Sequence, residues 1–275
     1  MSRNDPLLIL DGATLAKIYL GEVNRWDAAE IRRTNPRLAG KLPHAAIMVI
    51  QRTGSSGTSE IFTTACSSFS ANFSVRVGST ASPHWPVRVV DHARCVNKTD
   101  CGGGGACKVD ADTGVECNGR EASDSEQVVQ TLSEVPNSIG YVVLSEALRD
   151  GGLFTAGMIN KAGSVVFADH TGVQAAMSDF ASRLSSRLTG SLADSGAHKA
   201  WPIAGYTYFI VHRHLSKDCT RARKVLEFIH WCASFPLASL EAAQTGYAVI
   251  PHSVLNKVLA VLHSLTCESE VLLPA

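Results

Sequence analysis

Hydrophobic positions along the chain switch between the helical period and short strand-like runs. Leu7 to Leu10 is an apolar run of strand length. Thr14, Leu15, Ile18 and Tyr19 then recur at helical spacing, and Gly21 supplies a stop. Trp26 and Asp27 open a short helix through Ile31 that ends at Asn35-Pro36. Ala46 to Ile50 is continuously apolar, the pattern of a strand covered on both faces. It delivers Gln51-Arg52 to the loop Thr53 to Thr58, and Ile61, Phe62 and Ala65 mark one face of the helix beyond.

From Ser67 to Glu121 the pattern is irregular and rich in Gly, Ser, Asp and Cys. Val128, Val129, Leu132 and Val135 predict a helix that stops at Pro136-Asn137. Ile139 to Val143 and Ser164 to Phe167 read as strands, and Gly172 to about Leu188 as amphipathic helix. Tyr206 to His212 is a strong β run. Ala222, Val225, Leu226, Ile229 and Ala233 pattern one late helix, and Val254, Val258 and Leu262 pattern the last. Strands alternating with helices predict an α/β fold with mixed and parallel sheets.

Composition narrows the class. Of 275 residues, 45% are hydrophobic and 18% charged, a globular rather than a disordered balance. Lys+Arg and Asp+Glu both number 25, so the broad basic field of a general nucleic-acid binder is absent. No apolar run approaches the roughly 20 residues that span a bilayer. The opening MSRNDPLLILDG does not read as a secretory signal.

Cys95, Cys101, Cys107 and Cys117 crowd into one stretch around Gly102 to Gly105. Their spacing lacks the tight C-x2-C pairs of a zinc site, even with His92 nearby. A disulfide-stapled loop is expected there, within an insertion at about 90–120. Cys66, Cys219, Cys232 and Cys267 read as paired or as buried thiols. The sequons at Asn72 and Asn97 agree with secretion. His212 and His214 are expected to share a strand face as an ordinary pair, and Trp26, Trp201 and Trp231 to pack. No cofactor and no metal are predicted.

The candidate chemistry lies in Arg52-Thr53-Gly54-Ser55-Ser56-Gly57-Thr58. A buried strand feeding a Gly/Ser loop that opens a helix presents outward N–H groups and the positive end of the macrodipole. That is an anion site, to which Ser56 and Thr58 add hydroxyls and Arg52 a planar fork. The alternative is a Ser cap on an ordinary helix, with Glu60 complementing the dipole. The loop lacks the Lys of a P-loop and the spacing of a nucleophile elbow. A hydrolase using Ser55 or Ser56 would need a base, and the loop supplies none.

Several segments in order resemble one family. Leu10-Asp11-Gly12-Ala13-Thr14-Leu15, Ile18-Tyr19-Leu20-Gly21 and Trp26-Asp27 resemble its "LDGxTLxxIYLGxIxxWxD" segment. Asn35-Pro36 and Leu42-Pro43 follow in the same order. Arg52 to Thr58 resembles "RxDGSGT", and Pro136 with Ile139-Gly140-Tyr141-Val142 resembles "PxxIGYV". Trp201-Pro202-Ile203, then Val225, Leu226, Phe228 and Trp231, and Tyr247-Ala248 to Pro251 continue it. The family is the phosphate-binding protein of the bacterial high-affinity phosphate ABC transporter, a two-lobed periplasmic binding protein.

This resemblance implies inorganic phosphate as ligand, with Arg52, Ser56, Gly57 and Thr58 as contacts, and no enzymatic activity. It implies an extracytoplasmic location, with a membrane transporter or surface receptor as partner and neither nucleic acid nor a membrane span. Residues 1–45 would be the remnant of lobe I, 46–200 lobe II, and 201–275 a hinge strand and helices returning to lobe I. The hinge would lie near Val87 to Val90 and Trp201 to Ala204. The chain would begin after the family's first strands, leaving lobe I incomplete with an open sheet edge. Gly54 stands where the family's loop carries an Asp, and a site made only of donors discriminates poorly between protonated phosphate and sulfate. A ligand-free scaffold, or a piece of a longer binding protein, are the competing readings.

Overall fold

Met48–Arg52 (β2) shows how the apolar run builds the first unit. Val49 and Ile50 are both fully buried although they point to opposite faces, as a strand between two helical layers requires. The computed structural model describes residues 7–87, 95–98, 107–110, 118–149, 151–215 and 218–273. The chain divides into two compact units, Met1–Ala168 and Asp169–Ala275.

The first unit begins with β1 (Ile9–Asp11), α1 (Gly12–Tyr19) and α2 (Ala29–Thr34). After β2 come α3 (Gly57–Phe69), α4 (Ala71–Arg76), β3 (Cys95–Lys98), β4 (Cys107–Asp110) and β5 (Gly119–Ala122). Then follow α5 (Ser125–Glu134), β6 (Ser138–Ile139), α6 (Leu144–Arg149), β7 (Gly157–Ile159) and β8 (Val165–Val166). One sheet runs β5-β2-β6 with both pairings parallel, Arg52 standing opposite Ala122 and Val49 opposite Ile139. A second runs β1-β7-β8, parallel and then antiparallel. β3 and β4 form an antiparallel pair. Under the first sheet, Ile50, Ala122 and Val128 form one core with Leu132 and Val142. Tyr19, Phe62, Trp85 and Tyr141 form another, in which the Phe62 and Tyr141 rings stack at 4.2 Å.

The second unit comprises α7 (His170–Phe180), β9 (His214–Leu215), α8 (Cys219–Ser234), α9 (Pro236–Gln244), α10 (His252–Leu262), β10 (Thr266–Cys267) and β11 (Glu270–Val271). Ala176, Met177, Leu192, Ala200 and Val254 form one core. Ala222, Leu226, Ile229, Leu262 and Leu272 form the other. Beside the latter, a disulfide joins Cys219 to Cys267 across 48 residues, whereas Cys66 and Cys232 are free. Burial pushes the Cys66 thiol up, so it stays protonated and inert.

Several expectations need correction. The stretch Ser67 to Glu121 contains α4, β3, β4 and most of β5, short elements that its irregular pattern concealed. The strand read through Val143 stops at Ile139, and the helix read to Leu188 stops at Phe180. Tyr206 to His212 is neither strand nor helix, and Phe209 and Ile210 are exposed. High β-propensity forms a strand only against a partner, and this segment has none among the described residues. His212 lies in that irregular backbone, so it does not share a strand with His214. Trp231 is 38% exposed on α8, between Phe228 and Phe235, rather than in the core. Asn72 is exposed on α4 and donates to Glu22 at 2.6 Å.

Cys101, Cys117, His92 and residues 88–90 of the expected hinge lie outside the described residues. No group of metal-ligating side chains occurs among the described residues. No described helix is long and apolar enough to cross a membrane.

Candidate functional site

The carboxyl ends of β2 and β5 lie side by side, and each strand hands its chain to the start of a helix. Crevices at such strand ends are where open parallel α/β sheets bind ligands. From β2 the chain turns through Gly54, at φ +71°, to Ser56, the cap of the 13-residue α3. From β5 it passes Ser123 to Asp124, the cap of α5.

Arg52 joins the two. Its Nε donates to the Ser123 carbonyl at 3.0 Å, and its Nη1 donates to Ser125 Oγ at 3.0 Å. Two of the guanidinium's five donors are thereby engaged, and the Nη2 end of the fork remains to meet an anion. The loop is anchored on both sides. Thr53 N–H donates to the Ala122 carbonyl at 2.9 Å, and Ser56 N–H donates to the Ala81 carbonyl at 2.9 Å.

That last bond narrows the role open to Ser56. Its N–H is already engaged, and its Oγ accepts from the Ser59 amide at 3.4 Å, so the hydroxyl proton is what it can offer. Gly57 and Thr58 are the first two residues of α3, where N–H groups have no acceptor within the helix. A Cβ at Gly57 would meet nothing within 4 Å, so packing does not dictate the glycine. Ser55 is exposed, and among the described contacts neither Ser55 nor Ser56 has a His or carboxylate partner.

Tyr141 holds the loop from beneath. Its hydroxyl lies 2.7 Å from Ser59 Oγ and also hydrogen-bonds the Arg52 backbone, tying the end of β2 to the first turn of α3. Burial raises its pKa to about 12, so it remains a neutral phenol. Tyr141→Phe is expected to destabilise the fold by about 1–2 kcal/mol, the scale of a lost partly buried hydrogen bond. Urea denaturation checks this, and an unchanged midpoint would show that the hydroxyl holds nothing.

A family model described as the PBP superfamily domain matches residues 1–235. The chain belongs to the PBP superfamily. Within this superfamily it is 27% identical over 261 residues to the phosphate-binding protein PstS of Methanocaldococcus jannaschii, covering 91% of this chain and 59% of that protein. It is 24% identical over 270 residues to a putative serine/threonine-protein kinase/receptor of Acanthamoeba polyphaga mimivirus, covering 96% of this chain and 15% of that protein. The chain thus spans about three fifths of the length of the PstS relatives it matches. Among solved structures, a high-affinity periplasmic phosphate-binding protein bound with phosphate superposes with a TM-score of 0.59 at 19% identity. That match covers 92% of this chain and 65% of the other and shows a shared fold.

Sequence reasoning placed Arg52, Ser56, Gly57 and Thr58 on one loop, and the structure brings all four together at the end of β2. It missed Ser123 and Ser125, which accept from Arg52 and lie 71 and 73 residues away from it. A legible signal was present: Asp124 with Gln127 three residues on has the form of a capping box.

Proposed function

We propose that this PBP-superfamily chain captures inorganic phosphate, or a related oxyanion, as a solute-binding protein and not as an enzyme. The observation that carries this reading is the meeting of a tethered Arg52 guanidinium with the N-terminus of α3 at the end of β2. Arg52 contributes its free Nη2 end, Ser56 its hydroxyl, Gly57 its N–H, and Thr58 its N–H and hydroxyl. Preset donors around an anion need little reorganisation, which favours affinity. The names of the PstS relatives support phosphate as the anion. The Cys219–Cys267 disulfide supports an oxidising, extracytoplasmic setting. A membrane transporter or surface receptor is the partner that the phosphate-capture reading expects.

A second reading is favoured by the mimivirus kinase/receptor relatives, of which this chain matches only a segment. In it, the same fold reads an anion for a larger signalling chain.

Calorimetric titration of the oxidised protein with phosphate, with sulfate as control, tests the capture itself. Micromolar or tighter phosphate binding is expected. A folded protein that takes up neither anion would leave the scaffold reading in its place.

Gly54 offers a gain-of-function check. Its Cβ position is open, and Asp is among the residues that best tolerate a positive φ. Gly54→Asp is expected to cost about 1 kcal/mol of stability and to raise the preference for phosphate over sulfate. An unchanged preference in the same titration would count against a loop carboxylate acting as acceptor.

A further inference from the structure

The segment from Tyr206 to His212 has the composition of a strand, yet among the described contacts its backbone N–H and C=O groups make no hydrogen bond. It leads through Arg213 into β9, the edge strand of the sheet β11-β10-β9. We propose that a second copy of this chain covers this segment, pairing with it antiparallel across a two-fold axis and burying the aromatic face of α8 beside it. The inference is independent of the phosphate reading, because it uses only the unit Asp169–Ala275.

The exposed surface has the size of an interface. Ile210 is 97% exposed and Phe209 62%. The Phe209 ring meets Phe228 edge-on at 6.5 Å, Phe228 stacks toward Trp231 at 6.4 Å, and Trp231 toward Phe235 at 6.2 Å. The run and α8 thus share one continuous aromatic strip. The opposite face of α8 packs Ala222, Leu226 and Ile229 into the core, so this helix is apolar on two sides, as a covered helix is. At about 150–250 Å² for each aromatic side chain, the half-exposed strip with Tyr208 and Ile210 leaves on the order of 700 Å² of apolar surface open. The largest patch on a typical monomer is about 300–600 Å². Each partner of a standard interface buries about 800 Å².

A second copy fits because the run is complementary to itself. An antiparallel pair centred on Phe209 sets Tyr208 of one copy opposite Ile210 of the other, an aromatic-to-β-branched pair that favours a sheet. Thr207 falls opposite Val211, and Phe209 meets its own equivalent on the axis. Arg213, the first charged residue beyond the run, falls opposite Gly205, so no like charges face each other. The whole chain has 25 Lys+Arg and 25 Asp+Glu, and copies without net charge approach without long-range repulsion. The main-chain groups of the run then gain ladder bonds, and the aromatic strip leaves water.

Sedimentation of the oxidised protein is the test, and a dimer at micromolar concentration is expected. Ile210→Asp puts a charge into the pairing face twice per dimer and is expected to raise the dimer dissociation constant at least about a hundredfold. Ile210 is almost fully exposed within one copy, so the variant's circular dichroism should match wild type. Phe209→Cys reads the register. Residues opposed on the axis have Cα atoms about 4.5–5.5 Å apart, within disulfide range, so an interchain disulfide is expected on air oxidation. Val75→Cys, at an exposed position on α4, is expected to stay uncrosslinked on the same gel. A wild type that stays monomeric to its highest soluble concentration would overturn the proposal. A monomer whose amides at 206–212 nevertheless resist hydrogen exchange would overturn it too, and give the face to another segment of the polypeptide. A dimer that Ile210→Asp leaves intact and Phe209→Cys does not lock would place the interface elsewhere and equally overturn it.

Discussion

Replacing Arg52 with alanine is expected to weaken phosphate binding at least about a hundredfold. Charge-assisted hydrogen bonds contribute about 1.5–3 kcal/mol each, and a fork that presents two of them loses about 3 kcal/mol or more when removed. The fold should hardly notice, because Arg52 is only half-buried and its two tethers end on exposed or half-exposed serines. The unfolding midpoint is therefore expected to stay within about 1 kcal/mol of wild type. Arg52→Lys separates charge from geometry. Lysine keeps the positive charge but cannot span the Ser123 carbonyl and Ser125 Oγ while offering a planar pair of donors, so its affinity should lie between the other two. Calorimetry on the three proteins checks the order. Alanine affinity equal to wild type would remove Arg52 from the site.

The second large effect concerns the unit Asp169–Ala275. Reducing Cys219–Cys267 opens a crosslink between residues 48 apart, and a loop of that size corresponds to about 4 kcal/mol of stabilisation in the chain-entropy account. The bridge fastens the start of α8 to β10, next to the core of Leu226, Ile229 and Leu262. Hydrogen exchange read by peptide mass should show α8 and α10 losing protection on reduction. Exchange in β2 and α3, in the other unit, should change little. Protection of α8 that survives reduction would mean that this core stands without its crosslink. Cys66 gives no competing signal, since its buried thiol stays protonated.

What the sequence disclosed follows the range of the interactions involved. β2 was legible because Ala46 to Ile50 is apolar on both faces, a pattern that few environments other than a covered strand satisfy. The cap at Ser56 and the loop before it were legible because capping is local, written within three or four residues. The partners of Arg52 were not. Ser123 and Ser125 reach it only because β5 pairs parallel to β2, and pairing between distant segments leaves no local trace. Tyr141 was visible as part of a short apolar run, but its bond to Ser59 depends on the same assembly. The β run expected at Tyr206 to His212 shows the converse. Its residues fit a pleated surface, and the described structure gives them no strand to pair with. Aromatic spacing misled in the same way at α8, where Phe228, Trp231 and Phe235 stack along an outer face.

The central claim is that the end of β2 and the first turn of α3 hold the anion. Its most direct test is a backbone and guanidinium NMR titration of the oxidised protein with phosphate. Saturable shifts are expected at the Gly57 and Thr58 amides and at the Arg52 side chain, with smaller ones at Ser123 to Ser125. Shifts that saturate elsewhere and leave Gly57, Thr58 and Arg52 unmoved would contradict the account.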